Sequence, residues 1–172
     1  MSSGEVQIPS SQSALRWVRV SETDPFEWST SAPVIKPSEL GDNQVLIENH
    51  AVSLNPLDLK MTSLNFSNTK LPAVTGYDVS GRIIAVGKGV TDFKVGDEVF
   101  GALNVDSSNG GGALQQYSVG EADGLAKKPA NVSHTDAATL ATAFLSAMVK
   151  SSRYFIDKNE SNSELNGMVF VK

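Results

Sequence analysis

The sequence predicts a mainly β protein with some α: a glycine-rich antiparallel β-barrel, closed or nearly closed, followed by a C-terminal helix. Three observations carry that prediction. Short segments rich in β-branched residues recur, with turn signals roughly every ten residues. Glycines punctuate those segments most densely between Gly76 and Gly112. The pattern then changes to an alanine-rich stretch opened by Ser133 and Asp136, an S-x-x-D capping box.

The elements follow in order. Residues 1–13 are rich in Ser and Gln and read as a loose N-terminus. Residues 14–20 alternate apolar and polar side chains, as a half-buried strand does. Residues 45–54 are β-branched and read as a long strand, broken by Asn55-Pro56. Asn is a good N-cap and Pro suits the first helical position, so a short helix is expected from Pro56 to about Thr62. A polar loop then reaches Pro72. Residues 76–89 form a glycine-punctuated strand, 95–101 a turn and strand, 106–112 a flexible loop, and 114–119 another strand. A helix is expected over 133–150. Residues 151–172 are polar, apart from a possible last strand at Met168–Val171. The domain reading is a flexible N-terminus (1–13), a barrel domain (14–132), a connecting helix (133–150) and a polar tail (151–172).

Composition limits the function. A chain of 172 residues suits one domain, and 40% hydrophobic with 19% charged residues suits a globular one. The net charge of −5, without a basic cluster, argues against a nucleic-acid partner. A membrane span needs about 20 apolar residues, and no such run exists. There are no cysteines, which removes disulfides, thiolate nucleophiles and cysteine-ligated zinc, and suits a reducing, cytoplasmic setting.

The segment Gly76-Tyr77-Asp78-Val79-Ser80-Gly81, with Val86-Gly87 and Gly96-Asp97-Glu98-Val99, reads first as barrel corners. Asp78, inside an apolar strand, requires a hydrogen-bonding partner if it is buried. In order and spacing this segment also resembles the core of the GroES-like domain of medium-chain dehydrogenases/reductases. Asn55-Pro56-Leu57-Asp58-Leu59-Lys60 is similar to the N-P-x-D-x-K segment of the quinone-reductase and enoyl-reductase branches, and residues 137–143 resemble the helix leading into their cofactor domain.

That resemblance implies a catalytic domain of a zinc-independent oxidoreductase that reduces an activated C=C bond or a quinone with NADPH or NADH. Tyr77-Asp78 stands where zinc-dependent relatives carry a His-Glu pair, so no zinc is expected. It implies that Asn55 and Asp58 bind cofactor beside Thr142, and that Lys60 and Thr142 are catalytic, with Lys60 stabilising charge on a substrate carbonyl oxygen. A small-molecule substrate is expected, without nucleic acid or membrane, and a homodimer is compatible with a full-length form. Taken alone, the same residues also read as a solvated helix lysine and as the wet face of a helix carrying Thr135, Thr139, Thr142 and Ser146. His50 and His134, far apart in sequence, read as structural.

A G-x-G-x-x-G loop between a strand and a helix, the hallmark of a Rossmann domain, is absent from the sequence. Met168–Val171 resembles the first strand of one. The expectation is therefore an incomplete reductase whose glycine loop would follow residue 172. The alternatives are a non-catalytic GroES-like binding module and an inactive truncated product.

Overall fold

The computed structural model describes residues 7–65, 67–105 and 110–148. Eight strands dominate: β1 (Ser11–Trp17), β2 (Phe26–Pro33), β3 (Gln44–Ser53), β4 (Ala73–Val74), β5 (Asp78–Val86), β6 (Glu98–Ala102), β7 (Tyr117–Glu121) and β8 (Leu125–Lys127). Two helices accompany them, α1 (Pro56–Leu64) and α2 (His134–Ala138). Residues 141–148 are also helical. The strands form two antiparallel sheets, ordered β2-β1-β4 and β7-β3-β5-β6-β8. The mainly β architecture, built of antiparallel strands, is the one the sequence predicts. The bridge Ala14↔Gln115 ties the smaller sheet to the segment preceding β7.

The chain divides into two compact units, Met1–Thr142 and Ala143–Lys172. The first contains both sheets, α1 and α2. The described part of the second, residues 143–148, is helical.

The core explains the apolar run in β3. Val45 and Ile47 join Val79, Ile83, Val99 and Leu103 in one buried cluster, while Leu46 joins Val34, Ile84 and Val119 in another. Successive strand side chains point to opposite faces, so a strand covered on both faces must be apolar at every position. Gly81 allows β5 to pass β3 closely: a Cβ there would collide with the Glu48 carbonyl oxygen.

Four expectations need correction. First, β1 begins at Ser11, inside the stretch read as loose, and ends at Trp17 rather than Val20. The early start follows from the buried Gln12 amide, which donates to the Pro33 carbonyl. The early end follows from Trp17 Nε1 donating to the Arg19 carbonyl as the chain turns. Second, β2 was not expected, because FEWSTSAP lacks clean alternation and is largely exposed as an edge strand. Third, α1 runs on to Leu64 and is closed by Asn65 in the left-handed region, φ 45°. Fourth, the helix expected over 133–150 is interrupted at 139–140. There Thr139 Oγ1 donates to the Asp136 carbonyl at 2.7 Å and the Leu140 N–H to Ala137, which closes a tight turn in place of α-helical bonds. The tail over 151–172 with its strand at 168–171, the helix end at 149–150, and residues 106–109 of the expected loop lie outside the described residues.

Candidate active site

The candidate site is organised on β5. Gly76, at φ +101°, turns the chain into this strand, and a Cβ there would sit 3.0 Å from both the backbone N and the side chain of Leu114. Along β5, Val79 and Ile83 enter the core. Asp78, Ser80 and Arg82 share the opposite face by the two-residue period. Arg82 reaches solvent and pairs with Glu48 at 2.7 Å, whereas Asp78 and Ser80 are fully buried. A buried carboxylate needs donors. Asp78 has three: the Thr142 N–H at 2.9 Å, the Thr142 hydroxyl at 2.5 Å and the Asn55 Nδ2 amide at 3.1 Å.

Asn55 holds this position as the N-cap of α1. Its backbone N–H donates to Asp58 Oδ2 at 2.6 Å, and its side-chain oxygen faces the Asp58 N–H, which completes a capping box. Burial raises the Asp58 carboxyl above its ordinary value. The Asn55 N–H opposes this, the nearby Asp78 adds to it, and the backbone N–H groups of Tyr77 and Gly76 oppose it. Asp58 Oδ1 is buried without a hydrogen bond of regular geometry.

The structure thus brings three of the four expected residues, Asn55, Asp58 and Thr142, around Asp78. Lys60 lies exposed on α1, and its ammonium group has no partner among the described residues. The hydroxyl row expected along one helix does not form a single face, because the turn at 139–140 interrupts it. Thr139 bonds within its own turn and Thr142 bonds to Asp78. Asp78 was legible as a residue in need of a partner, but its partners, 23 and 64 residues away, were not.

A second polar cluster, also unforeseen, lies two residues along β5. Ser80 Oγ donates to the Val99 carbonyl at 3.0 Å, so its single proton is committed. With Ser80 Oγ donating to Val99, the contact of 2.8 Å between Ser80 Oγ and His134 Nδ1 corresponds to the tautomer in which the histidine Nδ1 donates. Neutral His134 then presents a bare Nε2, which is buried without a hydrogen bond and lies 3.5 Å from Glu98 Oε1. Burial lowers the His134 pKa, with His50 and Lys128 adding to the effect and Glu98 opposing it. The His50 ring meets that of His134 edge to face at 4.5 Å. Lys128 Nζ pairs with Glu98 Oε2 at 3.0 Å and holds the Glu98 carboxyl below the usual range. Among the described residues, no three His, Asp or Glu side chains converge in a metal-ligating group, and no helix is long and apolar enough to cross a membrane.

Residues 41–130 match the family profile of the alcohol dehydrogenase GroES-like domain, more than half of the chain. This chain is a GroES-like domain of the medium-chain dehydrogenase/reductase superfamily. The GroES-like domain is 34% identical over 150 residues to a 2-methylene-furan-3-one reductase of Solanum lycopersicum, a match spanning 84% of this chain and 38% of that protein. It is 40% identical over 114 residues to a chloroplastic NADPH-dependent alkenal/one oxidoreductase of Arabidopsis thaliana, spanning 63% and 30% of the two chains. In fold it matches the quinone oxidoreductase of Coxiella burnetii with a TM-score of 0.71 at 27% identity, over 83% of this chain and 44% of that one. The chain therefore spans less than half the length of each of these relatives.

Proposed function

We propose that this GroES-like domain is the catalytic-domain part of a zinc-independent, NAD(P)H-dependent reductase acting on an activated C=C bond or a quinone. The observation that carries the proposal is the saturation of Asp78 by Asn55 and Thr142. Because the Thr142 hydroxyl proton is committed to Asp78, its oxygen keeps lone pairs for an incoming donor. Asn55 has its amide nitrogen turned to Asp78, which leaves a second lone pair on its side-chain oxygen. Two neutral acceptors held on one buried carboxylate suit the N–H groups of a nicotinamide carboxamide, so this acceptor pair fits the cofactor. When bound, that cofactor supplies the hydride. Asp58 fixes the Asn55 backbone, and the Lys60 cation, free to swing on the exposed face of α1, steadies negative charge on a substrate carbonyl oxygen. The engagement of both Asp78 oxygens in hydrogen bonds supports a reaction without zinc at this position. The reading also takes in a cytoplasmic location and a small-molecule substrate, and it is compatible with a homodimer of a full-length form.

The test is a chimera joining this chain to the nucleotide-binding domain of the tomato relative. It should oxidise NADPH in the presence of an enone or a quinone. Thr142→Val and Asn55→Ala should each lower turnover about tenfold, a loss of about 1.4 kcal/mol in transition-state binding. A folded chimera that binds NADPH but consumes none with either substrate class would overturn the proposal. The 172-residue chain by itself should bind NADPH with a Kd on the order of 1 mM or weaker, because a glycine loop at a helix N-terminus supplies the main phosphate anchor in Rossmann domains. Calorimetric titration reads this directly.

A further inference from the structure

A cavity of about 620 Å³ opens beside the smaller sheet, lined in part by Arg16, Pro33, Lys70, Leu71, Val74 and Gln115. Its described lining includes none of Asn55, Asp58, Asp78 or Thr142, so it is separate from the candidate active site. Its volume lies within the ordinary range for small-molecule sites, about 300–1,000 Å³.

Among its described lining residues, the cavity carries charge of one sign. Arg16 and Lys70 are the only ionisable groups among its described lining residues, in a chain whose net charge is −5. Arg19 pairs with Asp24 and Arg82 with Glu48, but Arg16 makes no ion pair with any described residue. Its cross-strand neighbour on β2 is Glu27, and even that carboxylate does not engage it. A half-buried guanidinium without a partner carries a desolvation cost that an incoming anion relieves.

Several of the wall's acceptors already hold hydrogen bonds within the protein. Gln115 Nε2 draws the carbonyls of Gly110 and Gly112 to itself at 2.9 and 2.8 Å, and Gln115 Oε1 accepts from Gln12 at 3.0 Å. The remaining wall is largely apolar, including Ala32, Pro33, Leu71, Pro72, Val74 and Val105. We infer that this cavity binds a small amphiphilic acid, with its carboxylate on Arg16 and Lys70 and its aliphatic body against Pro33, Leu71 and Val74.

The inference stands on binding alone and does not rest on reductase activity. The probes are octanoate, octanol and acetate, titrated into the isotopically labelled 172-residue chain while amide NMR shifts are followed. Octanoate should saturate, with the largest shifts at Val74, Gly111 and Gln115. Octanol and acetate should each bind at least about tenfold more weakly, since each lacks one half of the recognition. Arg16→Gln should weaken octanoate about tenfold, and Lys70→Gln, on an exposed loop where folding is not at stake, about threefold. Octanol binding as tightly as octanoate, no saturation by octanoate, or octanoate affinity unchanged in Lys70→Gln and in a folded Arg16→Gln would each overturn the inference.

Discussion

Two buried polar clusters sit two residues apart on one face of β5, and they solve the same problem with opposite completeness. Asp78 is fully enclosed and receives three donors from α1 and from Thr142. His134, bound through Ser80, keeps one ring nitrogen buried and unbonded beside a carboxylate. The first cluster is closed and mechanically fixed. The second is a chain of partial contacts, His50 to His134 to Glu98 to Lys128, in which Glu98 is half exposed and the Lys128 side chain is buried. The difference separates a cluster that orients groups from one whose contacts depend on protonation.

Breaking the closed cluster should have the largest effect. Asp78→Asn places an amide where three donors converge, so stability should fall by about 2–3 kcal/mol, read from urea denaturation as a lower midpoint at unchanged slope. Thr142→Val removes one hydroxyl donor and leaves the Thr142 N–H in place. It should cost about 1–1.5 kcal/mol in the same measurement. Equal losses in the two variants would show that the Thr142 hydroxyl alone carries the hold on Asp78.

The acid response sharpens the comparison, because the two clusters have opposite signs. The folded-state pKa of His134 lies below the ordinary 6.5, so the unfolded chain takes up this proton first. The histidine contribution to stability is therefore complete above pH 6.5 and declines as the pH falls through 6.5 towards the depressed folded value. Asp58 behaves in reverse. Its folded pKa lies above the ordinary 3.8, so the folded chain takes up this proton first, and its contribution improves as the pH falls through the raised value towards 3.8. Denaturation midpoints across this range should lose the first trend in His134→Gln and the second in Asp58→Asn. A His134→Gln protein that keeps the full decline below pH 6.5 would remove the histidine from the explanation.

The smallest effect is expected at Lys60. Lys60→Ala should change stability by less than about 0.5 kcal/mol, because the side chain is exposed and unpartnered among the described residues. The same change in the chimera should lower turnover with little change in the apparent affinity for NADPH. Undiminished turnover would take Lys60 out of the proposed mechanism.

Much of the fold was legible because its signals are local. The Asn55-Pro56 break, the apolar run of β3 and the Ser133 cap each act within a few residues, and each lies where expected. What escaped depends on distant partners or on competing bonds. Strand β2 forms by pairing with β1 although its own composition is polar. The turn at 139–140 arises when a threonine hydroxyl captures a carbonyl that a helix would have used. The candidate site divides the same way. The residue types at Asn55, Asp58 and Thr142 were readable from spacing and resemblance, whereas their convergence on Asp78 is a tertiary fact. The meeting of His50 with His134, separated by the whole core of the larger sheet in sequence, carries no local signal.

The clasp between Asp78 and Thr142 has a practical consequence for anyone dissecting this protein. The family profile ends at residue 130, and a fragment cut there would contain every strand of both sheets. It would also lose α2 and two of the three donors that satisfy Asp78, and so would expose a carboxylate that the intact fold keeps dry. A piece ending at Thr142, where the first compact unit also ends, keeps all three donors to Asp78. Amide hydrogen exchange would show this boundary directly: the amides around Asp78 should be less protected in a piece ending at 130 than in one ending at 142.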